Sequence, residues 1–383
     1  MNLGYKYRVY LTQDQKNYMA KVFGCTRFIY NWGLRVKTDA FYNDNKKIGQ
    51  YELSKKLTLL KQEKSFLWLQ EVPNITLQQS LRHLDKAFVG FFQKRNNYPK
   101  FKGKFDKQSA TYTKGGIRIK DNNILLAKIK EPIKIKWSRE LPSDFSSATI
   151  TKDNSGRYFI SFVVEKKEIE LKRTNSEIGI DLGITDIIVD SNGNSSGNPK
   201  FTKKYEKRLR KAQKKLSKCK KGSNRRAIAK LRVAKIYAKI TDSRADFIHK
   251  MTTKLIKEND LIAMENLQVK NMIRNHSLAK AIADVSWGEI EKQLTYKSNL
   301  YGRTLVKIDK FFPSSKRCFN CGFILNKLNL SVRKWTCQEC QSENMRDINA
   351  AKNILQAGHA VLAGCDLARQ DKQKCTEGLL ETL

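Results

Sequence analysis

The chain has 383 residues, with 75 lysines and arginines against 37 aspartates and glutamates, so its formal net charge is +38. Such a surplus makes a folded chain repel itself unless a polyanion neutralises it, and nucleic acid is the commonest such partner. Hydrophobic residues make up 40% of the sequence, which excludes a wholly disordered basic protein and leaves room for roughly two to four domains. The chain starts MNLGYK and holds no run of ~18 apolar residues, so we expect an intracellular protein without a secretory signal, a membrane span or a membrane partner.

The N-terminal region is predicted to be helical over residues 12–97. Apolar residues recur at helical spacing from Met19 to Ile29, after a polar start at Thr12. Beyond Asn74, a favourable N-cap residue, leucines and phenylalanines follow at positions 77, 81, 84, 88 and 91. Steps of four and three residues place side chains on one face of a helix. We interpret this stripe as core packing and assign no chemistry to it.

Residues 98–175 carry short strand patterns between turn-rich segments. A basic linker at 98–104 comes first, and apolar residues then mark strands at 116–120, 133–137 and 158–164. Asn, Asp, Ser and Gly clusters between them are typical of turns. With a further strand near residues 5–11, these segments predict a small basic β-barrel or sheet.

From residue 177 buried strands alternate with helices. Strands are predicted at 177–184, 260–265 and 304–308, and a helix at 287–301. Between residues 200 and 250 there are 20 lysines and arginines but 3 acids, a surplus of 17. The sequence GSN at 222–224 divides this segment into two helices. Charge this dense on adjoining helices favours a bound nucleic acid over a merely solvated surface.

Four cysteines form two closely spaced pairs near the C-terminus, with fifteen residues between the pairs. The pairs are Cys318 with Cys321, and Cys337 with Cys340. Paired thiolates of this spacing reach one side of a tetrahedral metal, and four sulfur ligands leave no position open for water. We therefore predict one structural zinc ion. The remaining four cysteines lack such spacing and are interpreted as ordinary thiols: Cys25, Cys219, Cys365 and Cys375.

Three carboxylates lie at the ends of predicted strands or at a helix start. Asp181 interrupts a strand suited to burial, Glu265 ends another, and Asp347 begins a helical run. A buried acid is costly unless it is paired or binds a metal. Three converging acids could hold two magnesium ions roughly 3.5–4 Å apart for phosphodiester hydrolysis. Acids at strand ends also serve as caps and turn formers, so spacing alone leaves both interpretations open.

An ordered set of motifs resembles the TnpB family of transposon-encoded, RNA-guided endonucleases, which are similar to ancestors of type V CRISPR effectors. The set comprises GIDLG at 179–183, MENL at 264–267, the two cysteine pairs, and RDINAA at 346–351. Supporting stretches are RFIYNW at 27–32, PKFKG at 99–103, SWG at 286–288 and YKSNLYG at 296–302. Each motif is weak alone, but the ordered set spans roughly residues 5–358.

The resemblance implies an α+β, multi-domain protein built around a split RuvC-like nuclease of the RNase H fold. Asp181, Glu265 and Asp347 would be its catalytic acids, and the zinc ribbon would be inserted before the last of them. A helical recognition domain and a β-barrel wedge domain would precede the nuclease. The implied segments are the first wedge strand (1–11), the recognition domain (12–97), the wedge domain (98–175), the nuclease with its basic helices (176–310), the zinc ribbon (311–343), the last nuclease helix (344–358) and a flexible tail (359–383).

The implied function is magnesium-dependent, RNA-guided cutting of DNA next to a short target-adjacent motif. A guide RNA derived from the transposon end would pair with target double-stranded DNA, and the protein would be a monomer in the prokaryotic, nucleoid-associated cytoplasm. We assign motif reading to Thr76, Gln78 and Gln79, because a glutamine can pair bidentately with adenine. Exposed amides without any such role are an equally good interpretation of these side chains.

One departure from the family pattern adjoins the last acid. The family usually has HDRD before its NAA run, whereas NMRD stands at 344–347. Asn344 and Met345 therefore replace residues that would support the metal or the docking of the ribbon. Two other functions stay open: an RNA-guided repressor, as in family members that have lost the acids, and a DDE-type transposase. A tyrosine-type transposase is disfavoured because the four histidines are scattered.

Overall fold

The computed structural model describes residues 1–142, 144–274 and 276–364. The chain divides into two compact units, Met1–Lys166 and a second that begins at Lys167. In the first unit the N-terminal helices and the later strands contribute to one hydrophobic core. The segments that the resemblance assigns to a recognition domain and a wedge domain thus lie in one compact unit, and their division into domains stays a prediction.

The first unit holds three α-helices and seven β-strands among its described residues. They are β1 Asn2–Tyr10, α1 Gln13–Asp44, α2 Gln50–Leu60, α3 Asn74–Phe92, β2 Gln108–Thr113, β3 Ile117–Lys120, β4 Asn123–Leu126, β5 Lys134–Lys136, β6 Phe145–Lys152 and β7 Tyr158–Glu165.

The predicted helices are present, with one error at a terminus. Thr12 caps α1 through a capping box with Gln15, as the polar start of that pattern suggests. Of the predicted stripe on α3, Leu77, Leu81, Leu84 and Phe88 are buried, and Phe91 is half-buried. Asn74, however, is the first residue of α3 and not its N-cap, because Pro73 takes the extended cap conformation and its carbonyl accepts the Thr76 N–H at 3.0 Å.

The strands of the first unit form an antiparallel sheet in the order β2-β6-β7-β1-β5, beside the hairpin β3-β4. The N-terminal strand therefore belongs to this sheet, as predicted, and lies between β7 and β5. A single bridge between Ile124 and Ile133 joins the hairpin to the start of β5. The predicted small basic barrel or sheet is thus an antiparallel sheet with an adjoining hairpin, and its closure into a barrel stays a prediction.

The second unit alternates strands with helices. Its elements are β8 Glu177–Asp181, β9 Val189–Asp190, α4 Phe201–Ser217, α5 Asn224–Glu258, β10 Leu261–Glu265, α6 Val269–Met272, α7 His276–Val285, α8 Trp287–Tyr301, β11 Thr304–Ile308, β12 Lys334–Thr336, β13 Glu343–Met345 and α9 Arg346–Leu362. The two basic helices predicted on either side of residues 222–224 are α4 and α5.

The central sheet of this unit has the strand order β11-β10-β8-β9. β10 runs parallel to both β11 and β8, whereas β9 runs antiparallel to β8. Each parallel neighbour must be reached by a crossover, and α4 and α5 lie in the connection between β8 and β10. The carboxyl ends of β8 and β10 therefore meet at the same edge of the sheet.

Helix α9 lies directly against this sheet because glycines face it. A Cβ added to Gly179 on β8 would overlap the carbonyl oxygen of Ala351 and approach the backbone nitrogen of Leu355 to 2.8 Å. On the helix itself, a Cβ at Gly358 would lie 2.7 Å from the Cβ of Ala263 on β10. The absence of side chains at these two points fixes the depth at which α9 packs.

The C-terminal end differs in part from the expectation. α9 continues to Leu362, so the first residues of the predicted flexible tail at 359–383 are helical. The rest of that segment from residue 365 onward, including Cys365 and Cys375, lies outside the described residues. None of the helices in the described ranges combines the length and apolar character that crossing a membrane requires.

Replacing Gly179 by alanine is expected to lower the free energy of unfolding by about 2 kcal/mol or more, because the new methyl group must displace main-chain atoms of α9. Chemical denaturation of the full chain measures this. Gly288→Ala in α8 is the control: its added methyl meets no atom within 4 Å, and alanine favours a helix over glycine by up to about 1 kcal/mol. Equal stability of the two variants would contradict the close packing of α9.

Candidate active site and metal centre

Two of the predicted acids end neighbouring parallel strands. Ile180 of β8 pairs with Met264 of β10, and the next residues along the two strands are Asp181 and Glu265. Both side chains are half-buried at the edge of the sheet. The apolar strands place these two carboxylates side by side, as their positions in the sequence predicted.

The third acid reaches the same place from a helix. Asp347 lies in the first turn of α9, and the contact of that helix with β8 at Gly179 brings its N-terminus to the strand ends. The charge of Asp347 acts on Asp181 strongly enough to raise the pKa of that carboxyl. The structure thus brings all three sequence-predicted acids into one electrostatic cluster.

Burial and mutual repulsion make this cluster costly without a cation. Desolvation, followed by the charges of Glu265 and Asp347, raises the pKa of Asp181 to about 7, against a smaller opposing effect of Arg346. Burial also raises the pKa of Glu265, although the Ser314 hydroxyl donates a hydrogen bond to its Oε1 at 2.6 Å. Oxygen ligands that repel one another suit a hard divalent cation such as Mg²⁺.

One internal cation already contacts the cluster. The Arg333 guanidinium, from the segment between the two cysteine pairs, donates to both carboxylate oxygens of Asp347 at 3.1 and 3.3 Å. The backbone nitrogen of Arg346 also bonds the Arg333 carbonyl at 2.9 Å, which fixes this segment beside α9. Arg333 is therefore bonded to both oxygens that Asp347 could offer to a metal ion.

The four predicted zinc ligands converge. Their sulfur atoms all lie within 4.8 Å of one another, and in the described part of the chain they alone form such a metal-ligating group of three or more. The Sγ atoms of Cys318 and Cys340 are 3.7 Å apart, and those of Cys321 and Cys337 are 3.5 Å apart. Tetrahedral zinc with Zn–S bonds of about 2.3 Å separates its sulfurs by ~3.8 Å.

Polar groups beside Cys318 and Cys340 lower the pKa of these two thiols and so favour their charged form. The hydroxyl of Ser342, 3.1 Å from the sulfur, lowers the pKa of Cys340 to about 5. Asn344 is buried and its amide nitrogen lies 3.7 Å from the Cys318 sulfur. The asparagine at the departure from the family pattern thus supplies a hydrogen-bond donor to a metal-binding sulfur. Met345 is exposed and precedes the first residue of α9.

Two buried asparagines of α9 hold the ribbon in place. The amide nitrogens of Asn349 and Asn353 donate to the Arg317 carbonyl at 2.7 and 2.6 Å, and Asn349 Oδ1 accepts from the Phe319 N–H at 2.9 Å. The Arg317 side chain donates in turn to Asn353 Oδ1 at 2.9 Å. One helix therefore carries an acid, packs on the sheet and docks the first cysteine pair.

The predicted motif-reading residues lie at the start of α3, in the first unit. Thr76 is buried, and its hydroxyl donates to the Pro73 carbonyl at 2.7 Å; its part in motif reading stays a prediction. Threonine at this position faces the core because it precedes Ser80 and Leu84 by four and eight residues, on the buried side of the helix. Gln78 is exposed and Gln79 half-buried, and their role stays a prediction.

Three contributors to the site were missed in the sequence. Ser314 holds Glu265, Arg333 pairs with Asp347, and Asn353 docks the ribbon. Two motifs did carry a signal. Trp287 of SWG donates from Nε1 to the Gly183 carbonyl at 3.3 Å, which connects α8 to the loop after Asp181. Asn349 of NAA bonds the Arg317 carbonyl. Ser314 and Arg333 lack any comparable local pattern.

Manganese(II) is expected to bind the acid cluster more weakly at about pH 6 than at about pH 8. Below its pKa of about 7, Asp181 is protonated, and the proton competes with the cation by up to about tenfold per pH unit. Electron paramagnetic resonance titrations of the full chain measure the affinity. Asp181→Asn should weaken binding and flatten this pH dependence; an affinity of the unaltered chain that does not change with pH would contradict the assignment.

Replacing Arg333 by glutamine is expected to strengthen manganese binding by about twofold to fivefold, the equivalent of ~0.5–1 kcal/mol for a partly exposed ion pair. The reason is that the guanidinium no longer competes for Asp347. Lys334→Gln is the matched control, since that exposed neighbour removes the same charge without contacting the acid. Unchanged or weaker binding in the Arg333 variant would show that the ion pair does not oppose the metal.

Three family models match successive parts of the chain. Residues 161–276 match a family described as "Probable transposase", residues 287–354 match "Cas12f1-like, TNB domain", and residues 1–47 match "Helix-turn-helix domain". The second match contains all four cysteines and Asp347. In the structure, residues 1–47 form strand β1 and the single long helix α1.

Curated relatives and one solved structure extend these matches to nearly the whole chain. A Streptomyces pristinaespiralis protein named "Putative RNA-guided DNA endonuclease" is 41% identical, covering 98% of this chain and 94% of its own. "Putative RNA-guided DNA endonuclease InsQ" of Escherichia coli (strain K12) is 28% identical, and the match covers 99% of this chain and 98% of that protein. The fold resembles that in "Cryo-EM structure of the Cas12f1-sgRNA-target DNA complex", with a TM-score of 0.58, 14% identity and coverage of 90% and 83%. The chain belongs to the TnpB family.

Proposed function

We propose that this chain is an RNA-guided endonuclease that cuts DNA next to a short target-adjacent motif. The observation that carries this function is the cluster of three carboxylates, in which Glu265 and Asp347 raise the pKa of Asp181. Such a cluster is expensive to fold and becomes favourable once cations neutralise it. The names of the two full-length relatives support the same activity.

Asp181, Glu265 and Asp347 would hold two magnesium ions at the sheet edge. When bound, magnesium lowers the pKa of a water molecule and stabilises charge on the leaving oxygen of a phosphodiester. Ser314 would orient Glu265 through its 2.6 Å hydrogen bond, and Arg333 would leave Asp347 as the metal enters.

The cysteine cluster would hold one structural zinc ion in the ribbon. Four sulfur ligands leave no coordination position for water or substrate, so this ion would stabilise the fold and would not act in the reaction. Through Asn349 and Asn353, the ribbon would keep Arg333 and α9 in place beside the acids. The strand order β11-β10-β8-β9 and the helical connections support a RuvC-like nuclease of the RNase H fold.

The partners we propose are a guide RNA derived from a transposon end and target double-stranded DNA. Base pairing would read the target sequence, while the protein would bind the phosphates and the shape of the heteroduplex. The net charge of +38 supports a polyanion held over a large surface. Gln78 and Gln79 are the exposed or half-exposed candidates for reading the adjacent motif. They lie in the proposed recognition domain at 12–97, and the flanking strands would form the wedge domain. We propose a monomeric protein in this complex, acting in the prokaryotic cytoplasm.

A transposase is the second candidate, because the model matching residues 161–276 is described as "Probable transposase". A DDE-type enzyme also uses three acids, but it joins DNA strands without a guide. A repressor that binds without cutting would not need the acids, and all three are present and clustered. The three functions differ in whether RNA is required and whether DNA is cut or joined.

Asp181→Asn is expected to abolish detectable cleavage of plasmid DNA while RNA and DNA binding stay within about twofold, because the carboxylate acts only through the metal. The assay uses the chain purified with its RNA, a plasmid carrying the matching target, and magnesium. Glu343→Gln, which removes an exposed carboxylate from the same unit, should cut normally.

Cleavage by the Asp181 variant at the normal rate would remove this residue from the catalytic set. Cutting or strand joining by protein freed of RNA would favour the transposase. Guide and target binding by the unaltered chain with no cutting in magnesium would favour the repressor.

A further inference from the structure

A groove of about 480 Å³ runs between the two basic helices α4 and α5. Buried Leu209 and Ala212 of α4 pack against Val233, Ile236 and Ile240 of α5. In addition, Gln213 Nε2 donates to the Tyr237 hydroxyl at 3.2 Å across the pair. The two walls of the groove are thus held together by the chain itself, and the groove does not depend on another element for its shape.

The floor of the groove is apolar although it lies in the most highly charged part of the chain. We call the apolar part of the lining the floor; beside the buried Ile236 it consists of Ile228 and Leu231 of α5 and the ring of Tyr205 of α4. Ile228 is 68% exposed and Leu231 38% exposed. Isolated exposed apolar side chains are common, but these three share one concave surface, and a flat apolar partner would remove them from water.

The rim of the groove is positively charged. Arg208 of α4 and Arg232, Lys235 and Lys239 of α5 line it, and no acidic residue does. Within the described residues none of these four cations is paired with a carboxylate. The occupant must therefore combine negative charge at its edges with an apolar face toward the floor.

Unpaired nucleotides have this combination. In a double helix neighbouring bases cover each other's faces, so a protein can contact only phosphates, sugars and groove edges. In a single strand the base faces are exposed and can stack on side chains. On the basis of the proposed function, we infer that the α4–α5 groove binds an unpaired stretch of the guide RNA. Under the proposed function, the guide RNA is bound before the target DNA arrives. We choose the guide as the occupant because the charge surplus of this segment also has to be neutralised before that step.

The first test separates base stacking from phosphate binding. Fluorescence anisotropy of the full chain, without divalent cations, compares a single-stranded oligoadenylate RNA of about 12 nucleotides with a duplex RNA of the same length. The floor variant Ile228→Ala with Leu231→Ala should bind the single strand about tenfold more weakly and the duplex unchanged, because only unpaired bases reach the floor. Its salt dependence should not change, since no cation is lost.

Two charge variants complete the comparison. Arg232→Gln with Lys235→Gln should weaken the binding of both RNAs. For the single strand, the slope of log affinity against log salt concentration should fall by about 1.4, at ~0.7 per phosphate contact. Lys207→Gln with Lys214→Gln removes the same charge from exposed positions of α4 that do not line the groove and should change single-strand binding less than the rim variant. Circular dichroism confirms that each variant is folded.

Equal binding of the single strand by the floor variant and the unaltered chain would overturn the inference. An equal loss of affinity for duplex and single strand in the floor variant would also overturn it. A photocrosslinker at position 228 identifies the source of the strand. Crosslinks to co-purified RNA before target DNA is added are expected, and crosslinks to DNA alone would contradict the assignment. The binding assays contain no target and no magnesium, so loss of DNA cutting in Asp181→Asn cannot imitate either result.

Discussion

The contact between α9 and β8 at Gly179 is the constraint on which the active site depends. Because no side chain stands between them, the backbone of the helix rests on the strand, and the helix N-terminus meets the carboxyl ends of β8 and β10. This close contact between helix and strand places Asp347 beside the other two acids, although it lies more than eighty residues beyond Glu265 in the sequence. A bulkier contact would move the helix outward and take its carboxylate away from them.

The same helix links the acids to the zinc ribbon. Asn349 and Asn353 fix the backbone next to Cys318, and the ribbon in return provides Arg333 to Asp347. Before a metal binds, this guanidinium offsets part of the repulsion among three clustered acids. The cysteine cluster and the three acids are therefore mechanically joined, and damage to the ribbon should change the arrangement of the acids.

The sequence predicted those parts of the site whose signal is local. The cysteine pairs follow from their spacing. For the acids, spacing and the cost of a buried charge left two interpretations open, and the resemblance of the ordered motifs favoured the metal site. It did not predict β2 or β6, because QSATYT and FSSATITK are rich in small polar residues that lack the usual strand pattern. Arg333 was missed for a different reason: its partner is fourteen residues away across the ribbon, and only the tertiary fold brings the two together. The burial of Thr76 could not be predicted from its residue type, because only the packing of α3 decides which face of the helix is covered.

The most direct test of the account is a crystal structure of the full chain with manganese, located by anomalous scattering. We predict manganese bound to the carboxylates of Asp181, Glu265 and Asp347, with the Arg333 side chain turned away from the third acid. Manganese found only at other positions, or an undisturbed ion pair between Arg333 and Asp347 at saturating metal, would contradict the claim that these three carboxylates form the cation site.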